Sequence, residues 1–159
     1  MKKFALVIVL VFCAAVFTQS FAQAGAMRVG PVLAYGLDMK TLGIGGKFHY
    51  GITEKIRAAP SAVYFLEKNG FKYWELNLDA NYLFTDPSSM GIYALAGLNV
   101  LGSSFEFMGV SGSATDIGFN AGGGFQLPVG NSMFGFAEAK YRIGDASEIQ
   151  ISAGILFKL

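Results

Sequence analysis

Few residues in this chain have types and spacings that could do chemistry. His49 is the only histidine, and Tyr50 and Gly51 follow it. A general base needs a proton donor within hydrogen-bond reach and a third group to orient it. No serine or carboxylate directly follows His49, so it reads as an interior, hydrogen-bonded histidine. Gly43-Ile44-Gly45-Gly46-Lys47 invites a phosphate-loop reading. Such a loop needs glycine at position 41 and serine or threonine after the lysine, where this chain has Thr41 and Phe48. These glycines, like Gly122-Gly123-Gly124, read instead as strand glycines at bends or close packing points. Asp79-Ala80-Asn81 lacks the glycine and the distal glutamate of a calcium loop. Glu75 and Asp79 share one face of a strand and read as ion-pair members rather than an acid/base pair. No His/Cys spacing suits a metal. No catalytic residue is assigned, and no cofactor or metal is expected.

The elements that would position these residues are strands. Ile149, Ile151, Ala153, Ile155, Phe157 and Leu159 fall at every second position, opposite Glu148, Gln150, Ser152, Gly154, Leu156 and Lys158. A period of two places alternate side chains on opposite faces. Phe71–Phe84 alternates most clearly, with Trp74, Leu76, Leu78, Ala80, Tyr82 and Phe84 opposite Glu75, Asn77, Asp79 and Asn81. About eight such segments are expected: 26–36, 41–51, 55–66, 71–84, 91–102, 115–127, 132–143 and 148–159. Lys68-Asn69-Gly70 is a hairpin signal, because Asn and Gly tolerate positive φ. Pro60 cannot donate a ladder hydrogen bond, so a bulge or kink is expected there. The 103–114 stretch reads as the longest loop.

Composition narrows the class. The chain is 53% hydrophobic and only 14% charged, against about 25% charged in soluble domains. Yet no run beyond the N-terminus approaches the ~20 apolar residues of a membrane helix. The apolar excess is dispersed among alternating strands. Lys2 and Lys3, the apolar run 4–17 and Ala22-Gln23-Ala24 resemble a secretory signal, so residues 1–24 are expected to be removed, leaving a 25–159 domain. Cys13 lies in that segment, so disulfide and thiol chemistry are not expected. Subtracting Lys2 and Lys3 from 12 basic residues leaves 10 against 11 acidic ones, a net charge of −1. That balance gives no reason to expect nucleic acid as a partner.

An exported chain of alternating strands reads as a closed antiparallel barrel whose apolar face meets lipid. Lipid offers no hydrogen bonds, and strands pair every backbone group there only when the sheet closes. The polar face then points inward. Arg28, Lys47, Arg57, Lys140 and Arg142 would face Glu75, Asp79, Asp116, Glu138 and Glu148, a balanced set. Eight strands enclose just enough space for side chains, so a plugged, salt-bridged interior is expected. Aromatics would collect at both edges of the apolar band: Tyr50, Tyr82, Phe84, Phe125 and Phe157 at one, Tyr35, Tyr64, Trp74 and Tyr141 at the other. A soluble ligand-binding barrel would need the reverse phasing.

Four stretches carry a resemblance: Gly91–Leu98, Phe119–Phe125, Phe136–Arg142 and Ile151–Leu159. In these the chain resembles the small eight-stranded outer-membrane barrels, including the outer-membrane protein A transmembrane domain and the opacity-type, porin-like superfamily. The resemblance covers nearly all of residues 26–159. It implies an eight-stranded up-and-down transmembrane barrel in the outer membrane of a Gram-negative bacterium, surrounded by lipid and lipopolysaccharide and monomeric. It implies a structural or surface role without catalysis. A narrow channel and a lipid-modifying enzyme are the alternatives. Lipid A deacylases of this shape use a His-x-Ser pair, which His49-Tyr50-Gly51 lacks. Phe157 and Leu159 resemble the terminal signal read by the barrel assembly machinery, although that signal usually ends in an aromatic. Phe105, Phe107, Met108 and Val110 either form an outer contact for a partner or lipopolysaccharide acyl chains, or belong to strands that continue past the membrane and fold these residues inward. The second reading is favoured.

Overall fold

The computed structural model describes residues 24–68, 70–85, 89–107 and 110–159. The expected signal segment, apart from Ala24, lies outside the described residues, as do Asn69, Met108 and positions 86–88. The side chains of Glu106, Phe107 and Val110 are likewise outside the description.

Eight strands follow one another: β1 Met27–Gly36, β2 Thr41–Gly51, β3 Ile56–Lys68, β4 Phe71–Leu83, β5 Gly91–Phe107, β6 Val110–Pro128, β7 Met133–Ile143 and β8 Glu148–Lys158. Each pairs antiparallel with the next, and β8 pairs with β1 to close the barrel. The connections are tight. Gly70, with φ at +80°, turns β3 into β4, a conformation that side chains with a Cβ rarely adopt. Strands of 10–13 residues at about 3.4 Å per residue, tilted by ~40°, span roughly 25–30 Å, the height of a hydrocarbon layer.

The two faces are inverted relative to a protein folded in water. Leu33, Leu78 and Ile117 are 61%, 59% and 71% exposed, whereas Glu75, Asp79 and Arg57 are 2%, 2% and 4% exposed. Water would penalise a continuous apolar exterior of this extent, and lipid favours it. The outward aromatics form the two expected groups. Tyr50, Tyr82, Phe84, Phe125 and Phe157 are exposed toward the end where β1 begins. Tyr35, Tyr64, Trp74 and Tyr141 are exposed toward the other. We call these the inner and outer ends of the barrel.

Two local expectations are corrected. The 103–114 segment is a hairpin of paired strands rather than a loop, with Ser103 opposite Ala114, Phe105 opposite Gly112 and Phe107 opposite Val110. Backbone pairing continues because Gly112 leaves room for the Phe105 ring, which an added Cβ would touch at 2.5 Å. The bulge expected at Pro60 is absent, since the β2–β3 ladder keeps one register on both sides of it. The ladder is locally interrupted there, skipping Phe48 and His49 opposite Pro60 and Ala59. The register shift falls between Phe65 and Lys68 on the β3–β4 edge.

Candidate functional site in the barrel interior

The lumen is filled by both kinds of side chain. Val32 and Ala34 from β1, Val63 and Phe65 from β3, Phe136 from β7 and Leu156 from β8 form one buried apolar cluster, and Leu83, Tyr93 and Leu95 from β4 and β5 form a smaller one. Between them lie buried polar side chains contributed by every strand. Tyr93, Phe65, Leu156, His49, Gln126, Glu75, Asn81, Asn99 and Asp79 are the largest side chains with essentially no solvent contact. They fill the cross-section from several heights. Gly43 is an inward position left empty for this packing, since a Cβ there would lie 2.6 Å from Val63 Cγ1 and 2.9 Å from the Phe65 ring.

The charges are ordered along the axis. Near the outer end, Arg142 Nη2 lies 3.3 Å from Glu148 Oε2 on the adjacent strand, and its Nε donates to the Ala146 carbonyl at 2.7 Å. Below, Lys140 Nζ sits 2.8 Å from Glu75 Oε1 and 4.0 Å from Asp79 Oδ2. A carboxamide ladder braces this level. Asn120 donates to Asp79 at 2.8 Å and to Asn77 at 2.7 Å, and Asn99 donates to the same Asn77 oxygen at 2.7 Å. Gln150, its nitrogen turned inward, donates to both Glu75 oxygens at 3.1 Å. At mid-lumen Lys47 is bonded to Glu138. Glu138 also accepts from Tyr93 Oη at 2.8 Å and from Ser152 Oγ at 3.4 Å. These bonds matter because an ion taken out of water costs several kcal/mol unless a partner and further hydrogen bonds replace its hydration.

The inner end differs. Arg28 Nη1 donates to Gln126 Oε1 at 3.4 Å, and Arg57 Nη1 donates to that same oxygen. Arg57 also stands 4.4 Å above the Tyr93 ring centroid and donates to the Asn81 carbonyl at 3.1 Å. Arg28 stands 3.9 Å from the Phe134 centroid.

Nine of the ten charged residues expected inside are buried: Arg28, Lys47, Arg57, Glu75, Asp79, Glu138, Lys140, Arg142 and Glu148. Asp116 is the exception. It is half-buried at the outer rim, where it accepts from the Ala146 amide at 3.1 Å. The alternation places it on the inward phase, but β6 at that height has passed into the outer hairpin. His49 is interior, at 2% exposure, but it is not hydrogen-bonded as expected. Neither ring nitrogen has a protein partner, and the ring packs 6.3 Å from Phe136. Among the described residues no group of three or more His, Cys, Asp or Glu could hold a metal ion. The strands do continue past the band, but Phe105 is not folded inward as expected: it is exposed in the outer hairpin, its ring 5.8 Å from the exposed Phe71. Phe157 and Leu159 face outward at the inner end.

Gln126, Asn120, Asn99 and Tyr93 are site residues that the sequence did not single out as partners. The inward phase of Gln126 is legible from the period of two. Its position between an arginine 98 residues away and another 69 away is not.

No protein-family model matches the chain, and no curated protein matches it by sequence. Solved structures do resemble it. The N-terminal barrel domain of Pseudomonas aeruginosa OprF aligns with a TM-score of 0.75 at 19% identity, over 86% of this chain and 98% of that one. Neisserial surface protein A aligns with a TM-score of 0.65 at 18% identity, over 84% and 96%. A de novo designed transmembrane β-barrel aligns at 0.59 and 16%, over 88% of this chain and all of the design. A design matches nearly as well as natural barrels, so the likeness speaks to architecture rather than activity. The chain has the fold of the small eight-stranded transmembrane barrels found in bacterial outer membranes.

Proposed function

We propose that the protein is an integral outer-membrane barrel of a Gram-negative bacterium, with a structural or surface role, a sealed lumen and no catalytic activity. The supporting observation is the interior itself. Three ion pairs, a carboxamide ladder and an apolar cluster occupy the space that a water path would need. An acyl-transfer site would need a nucleophile bonded to His49. His49 instead lies toward the inner end with both nitrogens unpartnered. On this reading the surroundings are lipid and lipopolysaccharide, export precedes insertion by the assembly machinery, and the barrel is a monomer. The outer hairpin that carries Phe105 is the surface available to a partner.

Two experiments test this. Folded barrel should migrate faster than heat-denatured chain in mild detergent gels. In planar bilayers it should give no conductance steps above background. Reproducible steps that disappear on heat denaturation would replace the sealed-lumen reading with a narrow channel.

A further inference from the structure

The interior charges do not balance as the sequence suggested. With Asp116 at the rim, five buried cations meet four buried carboxylates among the described residues. Three cations are paired: Lys47 with Glu138, Lys140 with Glu75 and Asp79, Arg142 with Glu148. The other two, Arg28 and Arg57, have no carboxylate oxygen within 4.0 Å among the described residues. They share one neutral oxygen, that of Gln126. Two guanidiniums on one uncharged acceptor repel each other, and a buried charge without a counter-charge is costly.

Beside them is a cavity of about 20 Å³, lined by Arg28, His49, Arg57 and Leu83, with Thr53 and Glu54 of the β2–β3 turn at its mouth. That volume suits one particle about the size of a water molecule. Two of the lining residues carry orphaned atoms: Arg28 Nε and both His49 nitrogens are buried without protein partners. A neutral imidazole carries one N–H and a guanidinium five, so the unsatisfied groups include donors. The one carboxylate in the lining, Glu54, lies on the β2–β3 turn at the mouth and has another contact of its own.

We propose that this cavity binds a halide-sized inorganic anion, chloride in the first instance, between Arg28 and Arg57 with His49 as a third donor. The anion supplies the missing negative charge and uses the orphaned N–H groups. A single-atom anion fits a space of about 20 Å³, whereas a tetrahedral oxyanion such as sulfate would have to push aside the turn at its mouth. The site does not depend on the role proposed above, because a sealed barrel and a conducting one would both present it.

The chain has three arginines, Arg28, Arg57 and Arg142, so its side-chain Nε–H signals are few. In ¹⁵N-labelled barrel folded in detergent micelles, sodium chloride is titrated against sodium gluconate at constant ionic strength. The Arg28 and Arg57 signals and the His49 ring nitrogens should shift together to a plateau. Arg142, held by Glu148, should stay in place as an internal control. Sodium sulfate should produce no plateau. The variant Arg28→Gln should raise the half-saturating chloride concentration about tenfold, the loss of one charge-assisted hydrogen bond. Shifts that are linear, absent, or equal at all three arginines would overturn the site. Saturation by sulfate as readily as by chloride would overturn the halide assignment. The wild-type titration decides both points even if the variant does not fold.

Discussion

Replacing Glu138 with Gln tests the sealed interior most sharply in energetic terms. The side chains of Lys47 and Glu138 are 3% and 2% exposed. Glutamine keeps the shape: with its amide oxygen in the Oε2 place it still accepts from Lys47 and Ser152, and its NH2 group faces Tyr93 Oη, which can accept. It removes only the charge that faces Lys47. At about 3 Å and an effective dielectric constant near 20, that attraction is roughly 5 kcal/mol. Part is retained, because the amide oxygen still accepts from Lys47 Nζ and a hydrogen bond to a charged group contributes about 1.5–2 kcal/mol; the Phe136 ring, 5.2 Å from Nζ, is there in both proteins and cancels. The expected loss is therefore ~3–4 kcal/mol, in line with breaking one side of a buried pair. Urea unfolding in phospholipid vesicles, followed by the fluorescence of Trp74, reads this directly. With a urea slope of about 2–3 kcal/mol per molar, the midpoint should fall by more than ~1 M. Adding Lys47→Met removes the stranded charge, and the double variant should return most of the loss. A loss under ~1 kcal/mol for Glu138→Gln would refute the reasoning, since Lys47 would then be solvated by water inside the lumen.

Three further outcomes follow from the geometry. Leu78 faces outward at the middle of β4; Leu78→Arg should cost about 2–4 kcal/mol in the same vesicle assay, the penalty for arginine at mid-bilayer depth. A Cβ on Gly30 would collide with the Ile155 carbonyl across the β1–β8 seam, whereas Gly46 meets only the Gly30 oxygen at 4.0 Å. Gly30→Ala should therefore lower the urea midpoint by ~1–3 kcal/mol equivalent, and Gly46→Ala should leave it nearly unchanged. If the assembly machinery reads Phe157, Phe157→Ala should reduce the folded fraction in bacterial outer membranes while unaided refolding into detergent proceeds at the wild-type rate.

The sequence carried the fold because a period of two is a local signal. In β4 every second residue is polar, so both faces of the strand could be read without any partner. In β1 the inward Arg28 and outward Tyr35 set the phase, so Val32 and Ala34 had to turn inward. What stayed hidden was their company, because Val63, Phe65, Phe136 and Leu156 reach the same cluster from β3, β7 and β8. Phe105, Phe107 and Val110 hinted that β5 and β6 run on past the membrane, but composition made 103–114 read as a loop. Ser103, Ser104, Ser111, Gly112 and Ser113 have weak strand preference, and the pairing of β5 with β6 overrides it. In the interior, which charges face inward was legible from phase alone. Which carboxylate meets which cation was not, because Lys47 meets Glu138 across 91 residues and Lys140 meets Glu75 across 65. The surplus at Arg28 and Arg57 became visible only when Asp116 was found at the rim.

Trp74 gives the most direct test of which face meets lipid. It is the only tryptophan, it points outward at 42% exposure, and it lies three residues from Asn77, the middle of β4, toward the outer end. That offset on a tilted strand places it roughly 8 Å from the bilayer centre. In vesicles of brominated phospholipid its fluorescence should be quenched strongly, more by bromine near the headgroup end of the acyl chain than by bromine near the methyl terminus. Emission that brominated lipid leaves untouched, with free quenching by aqueous acrylamide, would place this face in water and contradict the account.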